Sequence, residues 1–104
     1  MNGYSLAIKD MPESMRPRER MLAEGEHSLS DTELLAIIIG NGTSNLSALD
    51  LARHILAQHG SLRHIKEASL EELMQHPGIG PAKAVNIKAA MEIGRRISLD
   101  VRNK

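Results

Sequence analysis

A chain of 104 residues makes one small domain, with room for a single core and little stability to spare. It has no cysteine, which excludes a disulfide framework and a thiolate-rich zinc site, and no apolar run near the roughly 18 residues of a membrane span. Thirteen basic and thirteen acidic side chains cancel, so it is not a uniformly basic nucleic-acid binder either.

Residues 1–15 read as an N-terminal tail, with no sustained period over 1–12 and no basic-then-apolar order of a signal peptide. A soluble, cytoplasmic protein is expected, and the glycosylation-like Asn41-Gly42-Thr43 and Asn45-Leu46-Ser47 carry no weight without a secretory signal. Pro17 at an early helical position and Gly25 as a C-terminal cap predict a first helix near 16–24. Ser30-Asp31-Thr32-Glu33 is a capping box that opens a helix whose Leu34, Leu35, Ile37, Ile38 and Ile39 face nearly all directions, so it should be central and buried. The run Ile37-Ile38-Ile39 also fits a strand, but it is short and follows a capping box. Gly40-Asn41-Gly42 breaks the pattern, and a longer helix from about 45 to 59 puts Leu49, Ala52, Ile55 and Leu56 on one face before Gly60. A turn of helix is expected over 62–67. Ser69-Leu70-Glu71-Glu72, a second capping box, starts a short helix that stops at Pro77. The last helix, about 81–97, turns Ala84, Ile87, Met91, Gly94 and Ile97 inward, and 98–104 begins a linker.

Pro77-Gly78-Ile79-Gly80 lies between these last two helices, and its chemistry is that of a helix-hairpin-helix turn. Gly78 and Gly80 tolerate positive φ, Ile79 is the side chain of the turn able to pack inward, and Pro81 suits the first position of the next helix. What is left exposed is a row of N–H groups at a helix N-terminus, carrying roughly half a positive elementary charge. Such a site takes an anion, and Lys83 stands in its first turn. With a backbone phosphate as the anion, Gly78, Ile79, Gly80, Pro81, Ala82 and Lys83 would grip DNA without reading sequence. The plainer alternative is a tight corner that only packs two helices.

An internal repeat supports the hairpin. Setting Gly40-Asn41-Gly42 over Gly78-Ile79-Gly80 aligns Leu35 with Leu73; after a two-residue insertion in the first copy, Ala48 and Leu51 fall on Ala84 and Ile87. The expected fold is therefore all-α, a small bundle of about five helices built on a tandem helix-hairpin-helix, with Gly40, Asn41, Gly42 and Thr43 as a degenerate secondary DNA contact. Charge follows the same division: residues 21–76 carry three basic and eight acidic side chains, whereas 77–104 carry six basic and two acidic, a net +4. Tyr4 is the single aromatic residue, so base-stacking platforms are missing, and duplex or branched DNA is favoured over a bare single strand.

Enzymatic patterns fare worse. His54, His59 and His64 are five apart, about 140° on a helix, whereas a shared metal face needs a spacing of three or four. Adjacent Glu71 and Glu72 fit a charged first helical turn better than an acid/base pair. Neither a Gly-x-Ser-x-Gly nor a phosphate-loop motif occurs. Asp100 stands where helix-hairpin-helix glycosylases place a catalytic aspartate, yet only four residues follow it, too few for the second helical layer that holds an extruded base. No catalytic residue, metal ligand or cofactor site is expected.

Ile8-Lys9-Asp10-Met11-Pro12, Arg16-Pro17-Arg18-Glu19-Arg20, Leu29-Ser30-Asp31-Thr32-Glu33-Leu34-Leu35-Ala36, Gly40-Asn41-Gly42-Thr43, Gly78-Ile79-Gly80-Pro81-Ala82-Lys83-Ala84 and Gly94-Arg95-Arg96 together resemble the N-terminal region of the bacterial RadC family, labelled DNA repair proteins. The likeness runs from about residue 6 to 97. It implies a helix-hairpin-helix fold and a DNA-facing role for Gly78, Ile79, Gly80 and Lys83. It also implies, in full-length relatives, a C-terminal metal-binding domain of the JAB/MPN type with a His-x-His motif, which this chain does not contain. Its position His76 departs from the apolar residue usual in the hairpin. The expected role is a non-catalytic, sequence-nonspecific DNA-binding domain that positions such a C-terminal domain; the alternative is a helical dock for a protein partner.

Overall fold

A computed structural model describes residues 15–102, and for Arg102 the backbone alone. The tail expected before Met15, with its Ile8–Pro12 segment, and the last two residues of the expected linker lie outside the described residues. Six α-helices follow in order: α1 (Pro17–Glu24), α2 (Asp31–Ile39), α3 (Ala48–His59), α4 (Leu62–Glu67), α5 (Leu70–Met74) and α6 (Pro81–Arg102). A 3₁₀ turn over Glu26–Ser28 joins the first two, and among the described residues there is no strand. Ile37-Ile38-Ile39 is helical.

Serine caps set most of the helix starts. Ser30, Ser47, Ser61 and Ser69 each accept from the amide three residues on, and the Ser30, Ser47 and Ser69 caps are full capping boxes closed by Glu33, Asp50 and Glu72. The Ser47 box explains why α3 begins at Ala48 rather than near 45: the Ser47 hydroxyl accepts from the Asp50 amide at 3.1 Å, and the Asp50 carboxylate accepts from the Ser47 amide at 2.9 Å. Glu33 does more than cap. Its carboxylate pairs with Arg20 of α1, whose guanidinium also donates to the Ser28 carbonyl at 2.7 Å, tying α1 to the start of α2. The Ser30 amide, with help from Arg20, holds the Glu33 carboxyl below its usual value against the opposing effect of burial.

α2 packs on α1, α3 and α6, as its apolar circumference requires, with Leu35, Ala36 and Ile39 buried and Leu34, Ile37 and Ile38 partly so. The core joins these to Leu51, Ala52 and Ile55 of α3, Ile65 of α4, Leu73 of α5, and Ala84 and Ile87 of α6. Each pair that the repeat aligns is buried: Leu35 with Leu73, Ala48 with Ala84, Leu51 with Ile87. Two helical hairpins, α2/α3 and α5/α6, thus hide apolar faces that neither could bury alone.

α6 departs from expectation. It runs on to Arg102 instead of stopping near 97, and its 22 residues extend about 33 Å. Ala84 and Ile87 are buried and Met91 packs on the core, but Gly94 is exposed and Ile97 is 59% exposed, so the core contact of α6 fades toward its C-terminal half.

Candidate nucleic-acid interface

The segment between α5 and α6 is a tight turn closed by its own backbone: the Ile79 amide donates to the His76 carbonyl at 3.1 Å and the Ala84 amide to the Gly80 carbonyl at 3.0 Å. Gly78 has φ +82°, and a Cβ there would stand 2.8 Å from Thr43 Cγ2 and 3.0 Å from Leu51 Cδ2. It is a glycine for two reasons at once, the left-handed backbone and the close approach of the first hairpin. Gly80 is not in the positive-φ region, and a Cβ there meets nothing within 4 Å. One residue is enough to reverse the chain, so the second glycine serves to keep the helix start open rather than to turn it. Ile79 points into the core at 3% exposure, as its place between the glycines predicts.

Pro81 opens α6, and Gly80, Pro81 and Ala82 are exposed. Gly80 has no side chain to cap the helix, so the first-turn amides of Ala82 and Lys83 lack both an intrahelical acceptor and a serine. Lys83 makes no hydrogen bond or ion pair among the described residues. A helix start with no side-chain cap among the described residues, and with an unengaged lysine in its first turn, has the chemistry to accept an anion.

The rest of the positive end is largely committed elsewhere. Lys88 donates to the Lys66 and Ala68 carbonyls, each at 2.6 Å, and so caps the C-terminus of α4. Arg95 and Arg96 both bind Glu92, whose carboxyl these two arginines lower to about 2.

In the first hairpin, Gly40 matches Gly78 with φ +85°, and Gly42 is pressed against its own loop, where a Cβ would collide with the Leu46 carbonyl oxygen. Thr43 folds that loop: its amide donates to the Leu46 carbonyl at 2.7 Å, and its hydroxyl accepts from the Asn45 and Leu46 amides. Asn41 is exposed.

Sequence spacing missed one cluster. His54 and His59 of α3 both reach His76, with ring centroids 5.4 and 5.0 Å away, and the two Nε2 atoms of His59 and His76 lie 2.9 Å apart. His64 is elsewhere, beside Ser61. Burial, and then the neighbouring His59 and His54, push the His76 imidazole below its usual value. The repeat held a signal for this site, since the same register sets His76 on Ile38, a partly buried apolar position. Among the described residues no group of three or more His, Asp or Glu side chains is placed to hold a metal ion, and no helix is long and apolar enough to cross a membrane. Glu72 belongs to the Ser69 capping box, and the Ser69 amide lowers its carboxyl. Asp100 is exposed on α6.

A family model described as UPF0758 N-terminal matches residues 8–85. The chain is 58% identical over 100 residues to a UPF0758 protein of Syntrophomonas wolfei, covering 93% of this chain and 43% of that protein. It is 48% identical over 97 residues to UPF0758 protein BH3032 of Halalkalibacterium halodurans, covering 93% and 42%. It therefore spans about two fifths of the length of these relatives. No solved structure matches it. The chain belongs to the UPF0758 family, the RadC-like proteins, as their N-terminal domain.

Proposed function

We propose that this UPF0758 N-terminal domain is a non-catalytic, cytoplasmic, sequence-nonspecific DNA-binding module, and that in full-length relatives it positions a C-terminal JAB/MPN-type domain. The observation that carries the proposal is the start of α6, exposed and uncapped with Lys83 beside it, while α2 to α5 all begin under a serine. One phosphate oxygen accepts from the Ala82 and Lys83 amides, and the Lys83 ammonium neutralises its charge. Gly78 and Ile79 act from behind, fixing the turn; Gly80 and Pro81 keep the approach clear. Gly40, Asn41, Gly42 and Thr43 supply at most a weaker second contact, because their loop has already satisfied much of its own backbone.

With so few free cations near the turn, affinity falls in the nonspecific range, Kd about 10⁻⁴ to 10⁻⁶ M, with a log–log salt slope near −2. An amide chemical-shift titration with short duplex, branched and single-stranded DNA tests this. Shifts concentrated on residues 78–83, larger with duplex or branched DNA, support the module. Shifts confined to the Leu49–Ile55 face, or none, leave the hairpin a packing corner and favour a protein dock instead.

A further inference from the structure

The second half of α6 leaves the core but stays apolar. Ile93, Ile97 and Val101 are 61, 59 and 69% exposed and recur at helical spacing along one side. Beside them, α4 and α6 enclose an open groove of about 420 Å³ lined by the apolar Leu62, Met91 and Leu99 together with Arg63, Lys66 and Arg95. The Arg63 and Lys66 side chains have no ion-pair partner among the described residues. An apolar lining that also holds unpaired cations is complementary to an amphipathic segment with acidic flanks.

We propose that this groove and the Ile93/Ile97/Val101 stripe seat the polypeptide that follows this domain in full-length family members. The S. wolfei relative has more than half of its length outside the matched region, and the matched family unit is the N-terminal one. α6 ends at Arg102, three residues past the groove-lining Leu99, so chain that follows the equivalent of α6 starts within about one helical turn of the groove, where tethering supplies an effective concentration on the order of millimolar. A second copy is the poorer occupant. Two-fold pairing on this face would bring Arg63 and Lys66 of both chains, side chains with no ion-pair partner among the described residues, to one seam of like charge. The seat deepens the positioning role proposed above: one rigid helix carries the anion site at its first turn and the seat at its last three.

The test uses no DNA, so its outcome is separate from that of the phosphate contact. Amide hydrogen exchange over residues 92–102 is measured in this chain alone and in a chimaera in which the chain replaces the matched 100 residues of the S. wolfei protein. The native relative is measured at the equivalent positions. The seat requires exchange at least about tenfold slower in the chimaera and in the relative than in the isolated chain. Ile97→Asp, at an exposed position that leaves the core intact, should return the chimaera to the isolated rate, and Arg63→Glu with Lys66→Glu should do so in part. Equal exchange in all three proteins overturns the proposal. So does protection in the isolated chain that rises with concentration alongside a doubled mass by light scattering, which would make a second copy the occupant.

Discussion

The two hairpins share a plan and differ at the start of their second helix. Each turns on one glycine of positive φ, Gly40 at +85° and Gly78 at +82°, and each buries the same three repeat positions. In the first, the loop through Thr43 takes the place of a helical turn, α3 starts only at Ala48, and the Asp50 carboxylate of the capping box sits on its N-terminus. In the second, α6 starts directly at Pro81, a full turn earlier in the repeat register, and Gly80 contributes nothing that could occupy the site. The first hairpin places its own carboxylate on its helix start; among the described residues the second places none there. Equivalent packing thus leaves the second helix start available for the phosphate contact proposed above, while the first is closed by its own capping box.

The sharpest way to break this comparison is Gly78→Val. A β-branched residue at φ +82° would be strained and would drive its Cβ into Thr43 and Leu51, so a loss of about 2–4 kcal/mol in a urea melt is expected. Gly80→Ala is its control: the backbone there is ordinary and the Cβ position empty, so the fold should lose no more than about 1 kcal/mol. Equal destabilisation by the two would mean that the glycines have no division of labour. Next is Ser47→Ala, which removes the first hairpin's cap and should lower stability by about 1–2 kcal/mol while leaving DNA affinity within about twofold. If affinity collapses with the cap while circular dichroism still reports a folded chain, the first hairpin is part of the binding surface. Smaller again is Lys83→Ala. Its melting temperature should stay put, and the salt slope of DNA binding should flatten by about one unit for every sequence alike.

Local chemistry made much of this legible in the sequence. The starts of α2 and α5 follow from Ser30…Glu33 and Ser69…Glu72, and the corner from Pro77 to Pro81 was readable because Ile79 had only one way to pack. The start of α3 was not, since Asp50 closes its box where glutamate is the usual sign. The end of α6 was misjudged for want of a stop signal: Gly94 can lie in a helix, and the repeating Ile93, Ile97 and Val101 do not say whether anything covers them. At the site, only coordinates could show which glycine carries the positive φ. Tertiary partners decide the rest. Lys88 looks like part of a basic end until the carbonyls of α4 claim it, and His54 and His59 look divergent until His76 comes up between them.

The smallest effect concerns that histidine, which stands in the second hairpin where the first has Ile38. His76 is buried, and its Nε2 shares a single hydrogen bond with that of His59, so one of the two rings must stay a neutral acceptor. The groups facing it are His54 and His59 of α3, and among the described residues Glu72 of α5 is the one acid that lines the same cavity. Its imidazole is held below the ordinary 6.5 in the folded chain, so the unfolded chain binds more protons as pH falls through that range. Stability is then fully present above about pH 6.5 and is lost as pH drops toward the lowered folded value. Melting temperature should decline between pH 7 and pH 5, and His76→Ile, which restores the first hairpin's side chain, should flatten this decline without lowering stability at pH 7. The His76 carbonyl accepts from the Ile79 amide whichever side chain is present, so the turn and the salt slope of DNA binding at pH 7 should both survive the exchange. A His76→Ile variant that keeps the full acid sensitivity of the parent would move the titrating group elsewhere, with the lowered carboxylates of Glu33, Glu72 and Glu92 as candidates at lower pH.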